Sequence, residues 1–558
     1  MRDRHRAFWP PWAPPSLVLP ETSVFENLAV SARRYPDKPA ILYYGGSLTY
    51  RRLLAEVEAV AGWLQQVAGV AQGDRVLLYL QNAPQFVIGY YAALRADAIV
   101  VPVNPMNRRG ELEHLLADTG AKAAVVAQDL LEHLAPLLEA GRLPRALVAC
   151  YADYADADAG PPLPEAVAAP RRPLEAANAV AWHDALAAAH APGLHRATAA
   201  DPALICYSSG TTGRPKGCLH SHRSVSATLW GSLAWNPAQA SSVALATLPY
   251  FHVTGMQNSM NALLCAGATI VLMSRWDRRL AADLIERHRV THWRSITTMA
   301  VDFLCDPDVA TRDLSSLTAI GGGGAQMPKA IAEKLKRLTG LDYVEGYGLT
   351  ETCAGTHINP PQRAKPQCLG IPVFDVDSRL LDPETLRELG PGEVGEIVVS
   401  APQVFLGYWN APEADAAAFL EIDGKRFFRT GDLGTYDEEG YWFLRDRLKR
   451  MINASGFKVW PAEVEALLYD HPEVVEACVV SAPDARRGET VKALVVRRRG
   501  SELDAETLSG WCRERMAAYK VPRIVAFVDS LPRSGAGKVL WRQIQEAEWA
   551  APATTPGE

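Results

Sequence analysis

The chain lacks the marks of several protein classes. Its nine cysteines are scattered, with no CxxC pair and no metal-ligand spacing. That argues against structural zinc and a disulfide framework, and for a reduced intracellular protein. No uninterrupted apolar run approaches the roughly 20 residues needed to span a bilayer. The N-terminus (Arg2, Arg4, Arg6, then Trp9-Pro10-Pro11-Trp12) is basic but has no apolar stretch behind it, so it is not a secretory signal. A net charge of −6 gives no reason to expect nucleic acid as a partner. The expectation is a soluble, cytoplasmic protein, with peripheral membrane contact left open.

What is present is an ordinary globular composition, 48% hydrophobic and 22% charged over 558 residues. That length suits one large domain and at least one smaller one. From Thr22 onward, short apolar strands alternate with segments of helical spacing: Ala40–Tyr44, Leu53–Val67, Arg75–Leu80, Phe86–Leu94, Ile99–Val103, Ala123–Val126. This pattern predicts an α/β fold, with doubly wound parallel units and helices on both faces of mixed sheets. Residues 151–200 are rich in Ala, Pro and Asp and have little periodicity, which reads as a surface excursion, with helix left open for the Ala-rich parts.

The most informative stretch follows it. Tyr207-Ser208-Ser209-Gly210-Thr211-Thr212-Gly213-Arg214-Pro215-Lys216-Gly217 places three glycines, four hydroxyls and two cations after the apolar run Ala203–Cys206. Glycine allows backbone N–H groups to turn towards an anion, hydroxyls add donors, and Lys adds a point charge. This is the chemistry of a polyphosphate-binding loop. It is not a Walker A loop, because Pro215 stands where the second glycine belongs.

The string resembles the phosphate-loop signature of the adenylate-forming superfamily, which holds acyl-CoA synthetases, aryl-CoA ligases, luciferases and peptide-synthetase adenylation domains. Other segments extend the resemblance in order from Thr22 to Gln545. They are Leu248–Met256, Gly321-Gly322-Gly323-Gly324-Ala325, Glu345-Gly346-Tyr347-Gly348-Leu349-Thr350-Glu351, Thr430-Gly431-Asp432, Arg445–Arg450 and Gly535-Ala536-Gly537-Lys538. The resemblance implies a large adenylation domain (1–448), including a β-rich subdomain, and a small mobile α+β C-terminal domain (449–558). The last part reads as helix 461–469, strands 474–481 and 491–498, helix 504–516 and strand 524–527.

The resemblance also implies roles. Ser208, Ser209, Gly210, Thr211, Thr212, Gly213 and Lys216 would cradle the ATP phosphates. Adenine would lie against Gly323, Gly324 and Ala325, with Tyr347 stacked on it and Gly348 beside it, and Asp432 and Arg447 would take the ribose. Thr350 would contact the α-phosphate, Glu351 would hold Mg²⁺, and Lys538 would clamp carboxylate and phosphate during adenylation. Tyr250, His252, Val253, Met256, Thr298 and Gly322 would line the acid pocket, with His252 a wall and not an acid or base. Lys449 would be the hinge, and Ser455, Gly456 and Phe457 would border the coenzyme A tunnel. His220-Ser221-His222 reads as a solvated helix start without a role. No fixed basic residue is expected to recognise a second carboxylate. The substrate expectation is therefore a hydrophobic acid, medium- to long-chain aliphatic, with aryl acids or transfer to a carrier protein as alternatives. A homodimer is expected only by resemblance.

Overall fold

The computed structural model describes residues 4–176, 178–208, 215–447, 450–454, 457–484, 488–533 and 539–550. Two compact units emerge, and they do not follow chain order. One holds residues 1–210, 214–377 and 400–428; the other holds 211–213, 378–399 and 429–558. The expected boundary at 448/449 lies outside the described residues.

The larger unit is built on two sheets. One runs Ile371–Pro372, Ala354–Ile358, Tyr343–Leu349, Ala319–Gly323, His292–Ser295, Val243–Ala246, Thr269–Leu272, Pro39–Tyr43, Gly46–Thr49. Its centre is parallel, with Val243–Ala246 paired to both neighbours in that sense. The other sheet runs Gly407–Tyr408, Lys216–Ser221, Pro202–Ser208, Ile99–Pro102, Arg75–Tyr79, Ala123–Ala127, Arg145–Ala149, Ala179–Ala181. Between strands come helices whose sequences explain them. Thr49 caps Tyr50–Gln66 by accepting from the Arg52 backbone N–H, and that helix buries Leu53, Val57, Val60, Ala61 and Leu64 as one stripe. Pro84 opens the next helix, Pro84–Arg95, where a missing N–H costs nothing. The α/β architecture expected from strand–helix alternation is what forms.

Residues 151–200 depart from the surface excursion expected of them. The strand Ala179–Ala181 extends the second sheet in parallel with Arg145–Ala149. Tyr151, Tyr154 and Trp182 are buried, and the Trp182 indole donates to the Tyr154 hydroxyl at 2.9 Å. Single large aromatics anchor this segment, and anchors of that kind leave no periodic trace in an Ala-rich background.

The second unit also carries two sheets. In the first, residues 378–381, 395–399 and 429–436 are neighbours, with Trp442–Arg447 paired to the last of them. In the second, Val474–Asp484 and Gly488–Arg497 form a long antiparallel ladder, and Ile524–Phe527 joins it in parallel. Helices Pro461–Leu468 and Ala505–Arg513 cover a small core that includes Val464, Leu468, Val479, Val495 and Leu508. These elements fall within a few residues of the periodicity reading. Among the described residues no helix is long and apolar enough to cross a membrane.

Candidate active site

In the larger unit, the strands Pro202–Ser208 and Lys216–Ser221 form an antiparallel hairpin that pairs Ser208 with Lys216. Its tip, with Ser209, Gly210, Thr211, Thr212 and Gly213, lies outside the described residues. The second strand sets the geometry. Side chains two apart in a strand share a face, so Lys216, Cys218 and His220 point the same way. The Lys216 ammonium sits over the Tyr408 ring at 4.9 Å. The Tyr408 hydroxyl in turn donates to Glu351 Oε1 at 2.9 Å. His220 Nε2 donates to the Thr350 carbonyl at 2.8 Å, and the Phe405 N–H donates to the Glu351 carbonyl at 2.8 Å. Thr350 and Glu351 open a short 3-10 turn, Thr350–Thr352, in which the Leu349 N–H donates to Thr352 Oγ1 at 2.8 Å. Lys216, Thr350 and Glu351, distant in sequence, are thus held together.

His220 is not the solvated helix end expected of it. It is fully buried, and burial lowers its pKa to about 4. The ring is neutral at pH 7 and donates to a carbonyl that can only accept. His222 does begin a helix, yet it is buried as well, and its Nδ1 accepts from the Val24 N–H at 3.1 Å. Tyr408 carried no motif that would have singled it out. Burial, followed by the nearby Glu351 charge, raises its pKa and keeps it a neutral donor.

Glu351 suits Mg²⁺, a hard ion that takes one or two protein carboxylates and fills its shell with phosphate and water oxygens. Among the described residues no cluster of three His, Cys, Asp or Glu side chains could hold a metal by itself. A single carboxylate supplemented by substrate phosphates is the donor set this site offers.

The acid-pocket candidates come from the glycine strand Ala319–Gly323 and from the segments that follow His292–Ser295 and Val243–Ala246. A Cβ on Gly322 would meet the Ser295 carbonyl oxygen at 1.8 Å, and one on Gly321 would meet Val344 O at 2.4 Å and Arg294 Nη1 at 2.8 Å. Close packing against neighbouring strands therefore accounts for glycine here, beyond the flat-wall role expected for it. Gly324 and Ala325 are exposed, and Thr297, not Thr298, bonds to this segment, donating to the Ala325 and Gln326 carbonyls at 3.3 and 3.2 Å. Thr298 is exposed. Glu345, buried beside the same segment, accepts from the Met327 and Gln367 N–H groups, each at 3.0 Å, and burial raises its pKa to about 7. Tyr347 is buried and tilted against His357 at 5.6 Å, while a Cβ on Gly348 would meet Ala354 O at 1.7 Å.

Tyr250 is wholly buried, its hydroxyl donating to Ser259 O at 3.0 Å and its N–H to Asn82 Oδ1 at 2.8 Å. His252 caps the short helix Val253–Met256, whose Val253 and Met256 are buried. That helix widens into a π-helical turn over Gln257–Asn261 before resuming as Ala262–Cys265. Beyond it lies a small cavity of about 20 Å³, whose lining includes Ser232, Asn236, Asn258, Leu263, His292 and Arg294. Arg294 is a cation in the lining of this cavity. In sequence it is one polar residue in a four-residue strand, and only the sheet register reveals where it points.

In the second unit, Asp432 and Arg447 are cross-strand partners, with Arg447 Nε 3.0 Å from Asp432 Oδ1. The turn before Asp432 is organised by buried Glu396, which accepts twice from Arg429, at 3.0 and 2.6 Å, and once from the Gly431 N–H at 3.2 Å. Asp446, also buried, accepts from the Ala462 N–H at 2.8 Å. Arg450 lies between Asp446, at 3.9 Å, and Glu465. Lys449, Ser455, Gly456 and Lys538 lie outside the described residues; Phe457 opens the strand Phe457–Val459.

The chain is similar to known proteins. The AMP-binding enzyme family model matches residues 28–409, and the AMP-binding enzyme C-terminal domain matches 463–538. The chain is 34% identical over 558 residues to a long-chain-fatty-acid–CoA ligase of Bacillus subtilis (strain 168), covering 97% of each. It is 36% identical over 525 residues to a feruloyl-CoA synthase of Amycolatopsis sp, covering 92% of this chain and 96% of the relative. The crystal structure of ATP-bound MatB from Rhodopseudomonas palustris superposes with a TM-score of 0.83 at 28% identity, covering 94% and 99%. With its signatures in order and its match running through most of both parts, the chain belongs to the AMP-binding enzyme family.

Proposed function

We propose that this protein is an AMP-forming acid–CoA ligase acting on a carboxylic acid with a hydrophobic skeleton, medium- to long-chain aliphatic. The observation that carries the reading is the Lys216–Tyr408–Glu351 chain, locked to Thr350 by His220. It joins a cation, a carboxylate and a hydroxyl residue at the base of a phosphate-loop hairpin. In the first step, a substrate carboxylate oxygen attacks the α-phosphorus of ATP and pyrophosphate leaves. The nucleophile is already anionic, so no general base is needed, and the protein supplies positioning and charge cancellation. Lys216 would face the leaving phosphates and Thr350 the α-phosphate, and the Gly535-Ala536-Gly537-Lys538 motif gives Lys538 the role of charge clamp. Mg²⁺, held by Glu351, would neutralise phosphate charge. Asp432 and Arg447 take the ribose hydroxyls.

In the second step the thiol of coenzyme A attacks the acyl carbonyl and AMP leaves. The small domain turns about Lys449 between steps, a motion of the kind that often limits turnover. Buried Val253 and Met256 support an apolar skeleton. The feruloyl-CoA synthase relative supports an aryl acid as the second reading. Pyrophosphate release with Mg·ATP, across fatty acids of graded length plus benzoate and cinnamate, with and without coenzyme A, tests this. AMP turnover sustained only with coenzyme A and an aliphatic acid is the expected result. Aryl preference selects the second reading. Release that coenzyme A never accelerates points to a carrier-protein acceptor.

A further inference from the structure

We propose that Arg294 is a specificity-determining residue that binds a second carboxylate at the far end of the acid substrate, so that the preferred acids are dicarboxylic. The inference rests on the ligase reading and refines it at one end of the pocket. Arg294 pairs in register with Gly321 on one side and Ala246 on the other. Register partners present their side chains on the same face, so Arg294, Ala244, Ala246, Gly321 and Gly323 form one surface. Ala244 and Ala246 keep side chains short on this face, and a Cβ on Gly321 would meet Arg294 Nη1 at 2.8 Å, so glycine there admits the guanidinium. Gly321 lies two residues from Gly323, or about 6.6 Å along the strand, so the cation sits deeper than the expected adenine wall.

Among the described residues the Arg294 guanidinium makes no ion pair or hydrogen bond. The one titratable neighbour that acts on it is the neutral Tyr343 phenol, itself donating to Ser295 O at 3.0 Å. The accessible part of Arg294 lines the cavity described above. Burial lowers its pKa, the signature of a cation left without compensation. Ser259 lines the same cavity, and its buried hydroxyl has no hydrogen-bond partner among the described residues. Asn258 accepts there from Ser232 Oγ at 3.1 Å and donates to Thr254 O at 3.2 Å. His292 is held neutral by burial and by Arg294, so it adds no competing charge.

A desolvated guanidinium is costly alone, and a carboxylate that can accept two of its N–H bonds is the group that best offsets the cost. A purely aliphatic tail would leave both Arg294 and Ser259 unsatisfied. A phenol or ether oxygen would satisfy hydrogen bonds but not charge.

The test measures pyrophosphate release by the full-length protein with matched acids: hexanoate against adipate, octanoate against suberate, and cinnamate against both 4-carboxycinnamate and 4-hydroxycinnamate. Wild type is expected to favour the carboxylated member of at least one pair, by about 30-fold or more in kcat/KM. Arg294→Met should erase or invert that preference while still turning over the monocarboxylates. Arg294→Lys should retain part of it, which separates charge recognition from loss of fold. Turnover confined to monocarboxylates, or preference for the hydroxy over the carboxy cinnamate, would overturn the proposal and leave the ligase reading standing. No turnover with any acid would overturn both.

Discussion

Two regions of this molecule handle charge in opposite ways. Around Thr350 and Glu351, several ionisable groups are kept neutral by burial: His220, Tyr408 and, nearby, His357. The cations there, Lys216 and Arg294, face an aromatic ring and a cavity in place of acids. Around Asp432 and Asp446 in the second unit, charges are instead matched: Asp432 with Arg447, Glu396 with Arg429, Glu465 with Arg450. The first region is left electrostatically incomplete, which suits a site whose anions arrive with its substrates. The second is complete in itself, which suits groups whose task is orientation.

The largest effect that would break this comparison lies at Lys538. Lys538→Ala should reduce adenylation more than about 1,000-fold while sparing thioester formation from supplied acyl-adenylate; equal loss of both half-reactions would remove its assigned role. Glu351→Gln should lower pyrophosphate release by about 100-fold, and a shift of its magnesium dependence to higher concentration should accompany the loss. For stability the two regions should diverge. Arg429→Met strands the buried Glu396 and should cost about 3 kcal/mol in urea unfolding. Arg294→Met strands no acid and should leave stability unchanged or raised. Equal losses would erase the distinction.

The smallest effect concerns pH. Glu345 has a folded pKa raised to about 7 by burial, so its stabilising contribution is full below its ordinary value and is lost as pH rises through 7. His220, lowered to about 4, acts the other way: its contribution is present above its ordinary value of 6.5 and is lost as pH falls towards 4. Between pH 4.5 and 6.5 the two slopes oppose each other. Glu345→Gln should therefore make the melting temperature fall more steeply over that interval on acidification than it does in wild type. An unchanged profile would mean that Glu345 does not titrate there.

Much of this was legible in the sequence because it is local. Strand–helix alternation, the glycine strand and the helices of the small domain are each encoded within a dozen residues. What stayed hidden depends on register and on distance along the chain. His220 meets Thr350 across 130 residues, and Tyr408 meets Glu351 across 57. No periodicity reports such pairs. Arg294 is the sharpest case: the string Trp293-Arg294-Ser295 alternates as a strand should, yet the consequence of Arg294 comes from having alanine and glycine as neighbours in adjacent strands.

The widened turn at Gln257–Asn261 has a further consequence, in terms of descent. A π-helical turn absorbs an extra residue without disturbing the helix on either side. Here the residues within it are committed in opposite directions: Gln257 and Asn261 bond inward to Cys353 and Tyr90, while Asn258 and Ser259 line the cavity. Loss of a single codon in this stretch would return it to regular α-helix and rotate Ala262–Cys265 by about 100° relative to what precedes it. Leu263 would then leave the cavity wall as a block with its neighbours. A lineage carrying this turn has a one-step route to a differently shaped cavity that leaves the Lys216–Tyr408–Glu351 chain untouched.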